Sequence, residues 1–297
     1  MTRPNFLIIG AAKAGTTSIC HYLNQHPQIY ISPVKEPRFF APEFYTTQAN
    51  GLLRDEARTS VMSLTEYKNL FAGVNYEVAA GEASTEYLYF PQTPQRIADL
   101  IPDIKIIAIL RQPAERAFSA FCYQVRDGCE NLTFEAALEE ELARANKGWR
   151  PGWLYQASGF YYQQLKRYFA VFEPEQIKIY LYDELRADSL KVMQNMYRFL
   201  DVDDKFVPKL TKRNVSKMPK NKWLNFLMKR QNPLKSTAQK IVPPTVQTAI
   251  ASKIKQHNIA EKPVMTKQTK KQLIELYRSD INNLEKLIQR DLSHWLN

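Results

Sequence analysis

Four apolar residues closed by a glycine, Phe6-Leu7-Ile8-Ile9-Gly10, run directly into Ala11-Ala12-Lys13-Ala14-Gly15-Thr16-Thr17-Ser18. A continuous apolar run ended by Gly predicts a strand buried on both faces. Residues 16–26 then have the pattern of a helix stopped by His26-Pro27. The turn between them is built of small residues, so backbone N–H groups can converge on an anion. The helix N-terminus adds partial positive charge there. Thr16, Thr17 and Ser18 add three hydroxyl donors. This is the physical design of a phosphate-binding strand–turn–helix. The competing reading is a plain Gly-containing turn, which explains neither Lys13 nor the three successive hydroxyls.

The rest of the chain extends the same architecture. Lys105–Leu110 (KIIAIL) is a second predicted strand, and Pro113 is well placed as the first residue of a helix running to about Arg126. Ile177–Leu181 is a third, followed by a helix ending near Leu200. Weaker strands are predicted at Gln28–Ile31 and Glu77–Ala80. Strands alternating with helices predict an α/β, three-layer P-loop-type fold with a central parallel sheet flanked by helices. The 297 residues, 44% of them hydrophobic, are read as a single domain. Residues 133–145, with Glu135, Glu139, Glu140 and Glu141, are expected to form a solvated acidic helix. Thr269 and Gln272 are expected to cap a C-terminal helix within 266–297.

The turn departs from the nucleoside-triphosphatase pattern. The Gly-x4-Gly spacing is kept, but Thr16 stands where the nucleotide-binding lysine belongs, and the lysine has moved to position 13. The strand that could carry a magnesium-binding acid ends in Arg111. Such enzymes need Mg²⁺ and a carboxylate to hold it. The residues here are cations and donors, and none of them requires a metal.

Charge is unevenly distributed. The chain carries 41 Lys+Arg and 30 Asp+Glu, a formal net charge of +11. Residues 205–260 hold 13 Lys+Arg and no acid, so this one segment carries the whole excess. A basic excess points to an anionic partner. Six prolines lie within 205–265, which is read as loops and short helices covering the core. The tract 220–240, with Trp223, Leu224, Phe226, Leu227 and Met228 among Lys and Arg, is read either as a cover over the site or as a membrane-surface contact. Three cysteines (Cys20, Cys122, Cys129) with no CxxC pair exclude a disulfide scaffold and suit a reducing compartment.

Three further segments sharpen the reading: Lys35-Glu36-Pro37-Arg38-Phe39-Phe40, Gly81-Glu82-Ala83-Ser84, and Leu110-Arg111-Gln112-Pro113-Ala114-Glu115-Arg116-Ala117-Phe118-Ser119, taken together with Lys13–Ser18. With these the chain resembles the sulfotransferases that use PAPS (3′-phosphoadenylyl sulfate), closest to their bacterial and carbohydrate-type branch. The resemblance implies transfer of a sulfuryl group from PAPS to a hydroxyl or amine of an acceptor, a carbohydrate ahead of a lipid or small alcohol. The product would be 3′,5′-adenosine bisphosphate, and no metal is implied. Lys13, Ala14, Gly15, Thr16, Thr17 and Ser18 match the loop that holds the 5′-phosphosulfate, with Lys13 at the leaving oxygen. Arg111 and Ser119 match the pair that holds the 3′-phosphate. Glu36 matches the general base, and Lys35 and Arg38 should keep it ionised. Lys212 or Arg213 is expected to reach the donor from a later loop.

The chain also departs from the family. Ala83 stands where some relatives have a lysine, and the late donor loop is not literal. His21 is a rival base and is expected to pack on the first helix instead, with His26 a helix-end residue. Arg116 is expected to pair with a local acid. The aromatic stretch at Trp149, Trp153, Tyr155, Phe160, Tyr161 and Tyr162 is read as packing rather than sugar stacking. The apolar run behind Arg3 is too short for a signal peptide, so the expected location is the cytoplasm, where PAPS is made. Two other classes stay open on residues alone: a P-loop kinase or nucleotide hydrolase, and a basic nucleic-acid-binding protein. The latter lacks a recognition motif, and no nucleic-acid partner is expected.

Overall fold

Runs such as FLII, KIIAI and IKIYL carry branched and aromatic side chains that suit a pleated surface, and each becomes a strand. The computed structural model describes residues 3–46, 61–211 and 263–297, plus two strand segments, Met218–Pro219 and Ile259–Ala260. Five parallel strands form the central sheet: β1 (Phe6–Gly10), β2 (Ile29–Ile31), β3 (Ala79–Ala83), β4 (Lys105–Leu110) and β5 (Ile177–Leu181). Their order is β2-β3-β1-β4-β5. Phe6, Leu7, Ile8 and Ile9 have no exposed surface, as expected for a central strand covered on both faces. The fold is α/β, as the alternation of strands and helices predicts.

The strand order places the site. From β1 the chain goes to the edge strand β2, returns to β3 between the two, and then crosses to β4 on the other side of β1. In open parallel sheets ligands bind beyond the carboxyl ends of the strands, where the order reverses. Here that crevice lies between the turn after β1 and the turn after β4. The first turn leads into α1 (Thr16–Leu23) and the second into α5 (Pro113–Arg126). Between them in sequence lie α2 (Glu43–Thr46), α3 (Leu64–Asn69) and α4 (Thr93–Leu100).

Four expectations change. The weak strand at 77–80 is displaced to Ala79–Ala83, because Ala79–Gly81 pair with β2 and Gly81–Ala83 pair with β1. The acidic helix is two short helices, α6 (Phe134–Glu139) and α7 (Glu141–Asn146). Glu141 is not solvated: it is buried and accepts N–H bonds from Gln156 (2.6 Å) and Ala157 (2.7 Å). The C-terminal helix, Lys267–Ile288, is capped by Thr266, whose Oγ1 accepts the Thr269 N–H at 3.0 Å. Thr269 is buried instead, and its hydroxyl donates to Glu135 (2.7 Å). That helix also stops short of 297, with Gln289 in the left-handed region. The tail then inserts Trp295 into the core, where its carbonyl accepts from Gln112 (3.1 Å) and its indole N–H donates to Asp183 (3.3 Å).

Most of the 205–265 segment lies outside the described residues. Lys205 to Thr211 lie along α1: Gln25 accepts the Lys209 N–H (2.8 Å) and the Tyr22 hydroxyl donates to the Thr211 carbonyl (3.1 Å). Two backbone segments, β6 (Met218–Pro219) and β7 (Ile259–Ala260), pair antiparallel, and β6 runs beside α5.

Gly81 shows how tightly β1 and β3 are packed. A Cβ at this position would run into the Phe6 carbonyl oxygen and come within 2.7 Å of its ring. Backbone cannot yield as a flexible side chain does, so Gly81→Ala should lower unfolding free energy by about 3 kcal/mol or more, read from denaturant melts. A change within about 0.5 kcal/mol would contradict this packing.

Candidate active site

The turn after β1 is formed against the grain of its own residues. Lys13 (φ 71°) and Gly15 (φ 94°) both lie in the left-handed region. Glycine is needed at 15, because a Cβ would also meet Leu185 at 3.0 Å and Tyr182 at 3.3 Å. Gly15 precedes α1 with no side-chain hydrogen bond capping the helix, so side chains leave the first-turn amides of Thr16 and Thr17 to a ligand. Thr16 is buried, while Thr17 and Ser18 are partly exposed. Ala14 is buried under the turn.

Cations gather around this cradle. The Lys13 ammonium sits 4.1 Å above the Tyr123 ring, and the Arg126 guanidinium lies 4.5 Å from the same ring. Arg111, at the end of β4, stacks 4.8 Å from the Tyr182 ring and reaches the Lys13 carbonyl at 3.4 Å. Burial lowers the Lys13 pKa to about 8, helped by the charges of Arg126, Lys35 and Arg111 and opposed by Glu36. A lysine held this way gains from an anion arriving beside it. Ser119 is partly exposed on α5, two helical turns beyond Arg111. The turn residues and Arg111 thus meet at one crevice, through the Lys13 carbonyl. Lys212 and Arg213 lie outside the described residues.

Glu36 faces the same crevice from the segment after β2. It is left-handed (φ 54°), as is Arg38 (φ 55°). Arg38 Nη2 donates to Glu36 Oε2 at 2.6 Å, and Arg38 Nε lies 3.1 Å from Glu86. The Thr85 hydroxyl is 3.5 Å from the other Glu36 oxygen. The expected pairing with Arg38 is therefore present, with one carboxylate oxygen directed toward Thr85. Residues in the left-handed region persist when their surroundings over-determine them. Here the surroundings are organised by Glu82.

The sequence gives no signal of that role for Glu82. It is 1% exposed at the end of β3. Ser84 donates to it at 2.9 Å and Tyr67 at 3.4 Å, and the Tyr87 hydroxyl also bonds to it. Each of these groups touches the Glu36 segment. Ser84 Oγ accepts the Arg38 N–H (3.0 Å), Tyr87 accepts the Phe40 N–H (3.4 Å), and Tyr67 stacks on Phe39 (4.4 Å). Burial raises the Glu82 pKa to about 7, against the pull of the three hydroxyls, and the Glu36 charge adds to the rise. Tyr123 and Tyr182, which carry the cations, were also not picked out by motif. Tyr123 was within reach of sequence reasoning, since it lies four residues after Ser119 on the same helix.

Other candidates fall away. His26 is buried, with Nε2 at 2.9 Å from the Asp203 carbonyl oxygen and Nδ1 accepting the Gln28 N–H (3.1 Å). His21 lies in the last turn of α1. Arg116 is buried and donates to the Tyr155 carbonyl rather than forming an ion pair with an acid. Trp153, Tyr155 and Tyr161 are core residues. Trp149, Phe160 and Tyr162 are partly exposed.

A cation-lined cradle at a sheet switch point, with a carboxylate beside it, is an arrangement suited to an anionic ligand. The sequence model of the sulfotransferase family matches residues 4–206, and the chain belongs to that family. A sulfotransferase from Alicyclobacillus acidocaldarius is 35% identical, with a TM-score of 0.79 and all of both chains covered. The bifunctional heparan sulfate N-deacetylase/N-sulfotransferase 3 of Mus musculus is 28% identical over 203 residues, 67% of this chain and 22% of its own length. The membrane-associated sulfotransferase kil1 of Dictyostelium discoideum is 29% identical over 123 residues, 41% of this chain and 23% of its own. The chain thus spans about a fifth of the length of these curated relatives. Among the described residues, no helix is long and apolar enough to cross a membrane.

Because the Glu82 pKa stands above the ordinary 4.5, the native state binds its proton more tightly than the unfolded chain. The resulting stability is present below about pH 4.5 and is lost as pH rises through 7. Between pH 5 and 8 this amounts to roughly 2–3 kcal/mol. Glu82→Gln should flatten that slope in denaturant melts. An unchanged slope would show that the carboxyl does not titrate there.

Proposed function

We propose that the protein transfers a sulfuryl group from PAPS to a hydroxyl or amine of a carbohydrate acceptor. The observation that carries this is the cradle after β1, where Lys13 and the uncapped start of α1 stand beside Arg111, with the charge of Glu36 acting on Lys13 from the segment after β2. The donor's 5′-phosphosulfate would sit on the turn Lys13–Ser18, and its 3′-phosphate on Arg111 and Ser119. Arg offers a permanently charged planar fork to a phosphate, and Ser a short donor. The acceptor oxygen or nitrogen attacks sulfur in line as the bond from sulfur to the phosphate oxygen breaks. Lys13 and the turn amides stabilise charge growing on the leaving oxygen. Glu36 accepts the acceptor's proton, because a hydroxyl is a poor nucleophile until that proton is taken. Arg38 fixes the direction of that carboxylate. Positioning and charge stabilisation supply most of the catalysis.

The glycan preference is supported by relatives whose names include a heparan sulfate N-sulfotransferase. That name also brings an amine into consideration beside a hydroxyl. Operation in the cytoplasm is part of the same proposal, supported by three free cysteines, Cys20, Cys122 and Cys129.

Incubation with sulfur-labelled PAPS and a panel of glycans, N-deacetylated glycosaminoglycans, lipids and small alcohols should label a glycan. Lys13→Ala should lower turnover at least about 100-fold. Arg111→Ala should raise the KM for PAPS about 10-fold or more, with a smaller change in kcat. Glu36→Gln should lower kcat about 100-fold and leave donor affinity unchanged. Normal turnover by Glu36→Gln would remove the base assignment, and label on lipid alone would remove the glycan.

A further inference from the structure

One side chain beside the crevice has no part in the proposed reaction. Glu115 lies in the first turn of α5, one turn beyond Arg111 and one turn before Ser119. Its neighbours at 114, 116, 117, 118 and 120 are buried, while Glu115 and Ser119 are partly exposed. The carboxylate therefore stands in line between the two groups assigned to the 3′-phosphate. It is engaged with one of them: Arg111 Nη2 donates to Glu115 Oε2 at 3.0 Å. Arg111 Nη1 is held at 3.4 Å from the Lys13 carbonyl, and Nε is buried with no hydrogen-bond partner among the described residues.

We propose that Glu115 is a placeholder for the ligand's 3′-phosphate: it occupies the Arg111 fork while the site is empty and is displaced when the phosphate arrives. This rests on the donor reading above. Carboxylate and phosphate oxygens compete for the same guanidinium donors, so a phosphate seated two-pronged on the fork takes the Nη2 N–H that Glu115 holds. A phosphate dianion beside an ionised carboxylate is also repelled. Glu115 has room to leave, since its side chain is 41% exposed, whereas Arg111 at 15% is fixed by the Tyr182 ring. In the empty protein the carboxylate keeps the guanidinium aligned over its ring. In the complex its displacement weakens retention of the bisphosphate and so favours product release.

The test is calorimetric titration of 3′,5′-adenosine bisphosphate and of adenosine 5′-monophosphate into the wild-type protein, Glu115→Gln, Arg111→Ala and the double variant. Glu115→Gln should bind the bisphosphate about three- to tenfold more tightly, the range expected for releasing a partly exposed ion pair and a nearby like charge. The monophosphate, which lacks the 3′-phosphate, should show no gain, and the double variant should gain less over Arg111→Ala than Glu115→Gln gains over wild type, because only the like-charge repulsion is left to relieve. Unchanged or weaker bisphosphate binding by Glu115→Gln would overturn the proposal, the weaker result meaning that Glu115 only orients Arg111. Wild-type protein that binds no bisphosphate would overturn the donor reading, and this inference with it.

Discussion

The structure depends on holding like charges together at one edge of the sheet. Burial raises the cost of charging Lys13, and the charges of Arg126, Lys35 and Arg111 add their repulsion to it. Left alone, such a group would open the turn or lose a proton. Two aromatic rings offset part of this repulsion: Tyr123 lies beneath Lys13 and Arg126, and Tyr182 beneath Arg111. A cation over an aromatic face gains roughly 0.5–2 kcal/mol. What remains of the repulsion is a standing affinity for an anion, built in before any ligand binds.

The scaffold is arranged to keep that arrangement fixed. The tail residue Trp295 holds Gln112, and Gln112 in turn accepts the Glu115 N–H at 2.7 Å at the start of α5. The base of α5 is thereby fixed just where Arg111 leaves β4. On the other side of β1, Glu82 gathers three hydroxyls that steady the left-handed Glu36–Arg38 segment. A buried carboxyl in a strand is unfavourable unless its bonds are made. Here those bonds position the proposed base, so structural and chemical roles meet in one residue.

The strands β1, β4 and β5 were legible in the sequence because each is a continuous apolar run, and such runs become strands buried on both faces. The cradle was legible because few folds place Gly, Lys and three hydroxyls directly after such a strand. β3 was misplaced because Ala79-Ala80-Gly81-Glu82-Ala83 lacks branched or aromatic residues. Its smallness serves close packing on Phe6, which a local reading does not see. The start of the C-terminal helix was missed because Thr266 and Thr269 are equally good caps by type, and a contact to Glu135, far away in sequence, decides between them. Glu82 was opaque for the same reason. Its partners Tyr67 and Tyr87 come from other segments, and only the fold brings them together. The basic tract 205–260 supplied the net charge of +11, yet the cradle is built from the near-neutral remainder of the chain.

The most direct measurement is the number of protons taken up when 3′,5′-adenosine bisphosphate binds, obtained by calorimetry in buffers of different ionisation enthalpy. With a Lys13 pKa of about 8 in the empty protein, an anion bound beside it should draw in roughly half a proton at pH 8 and close to none at pH 6. Lys13→Met should abolish the uptake at pH 8. Binding with no uptake at that pH, or with the same uptake in Lys13→Met, would contradict the view that a crowded, partly deprotonated Lys13 receives the donor.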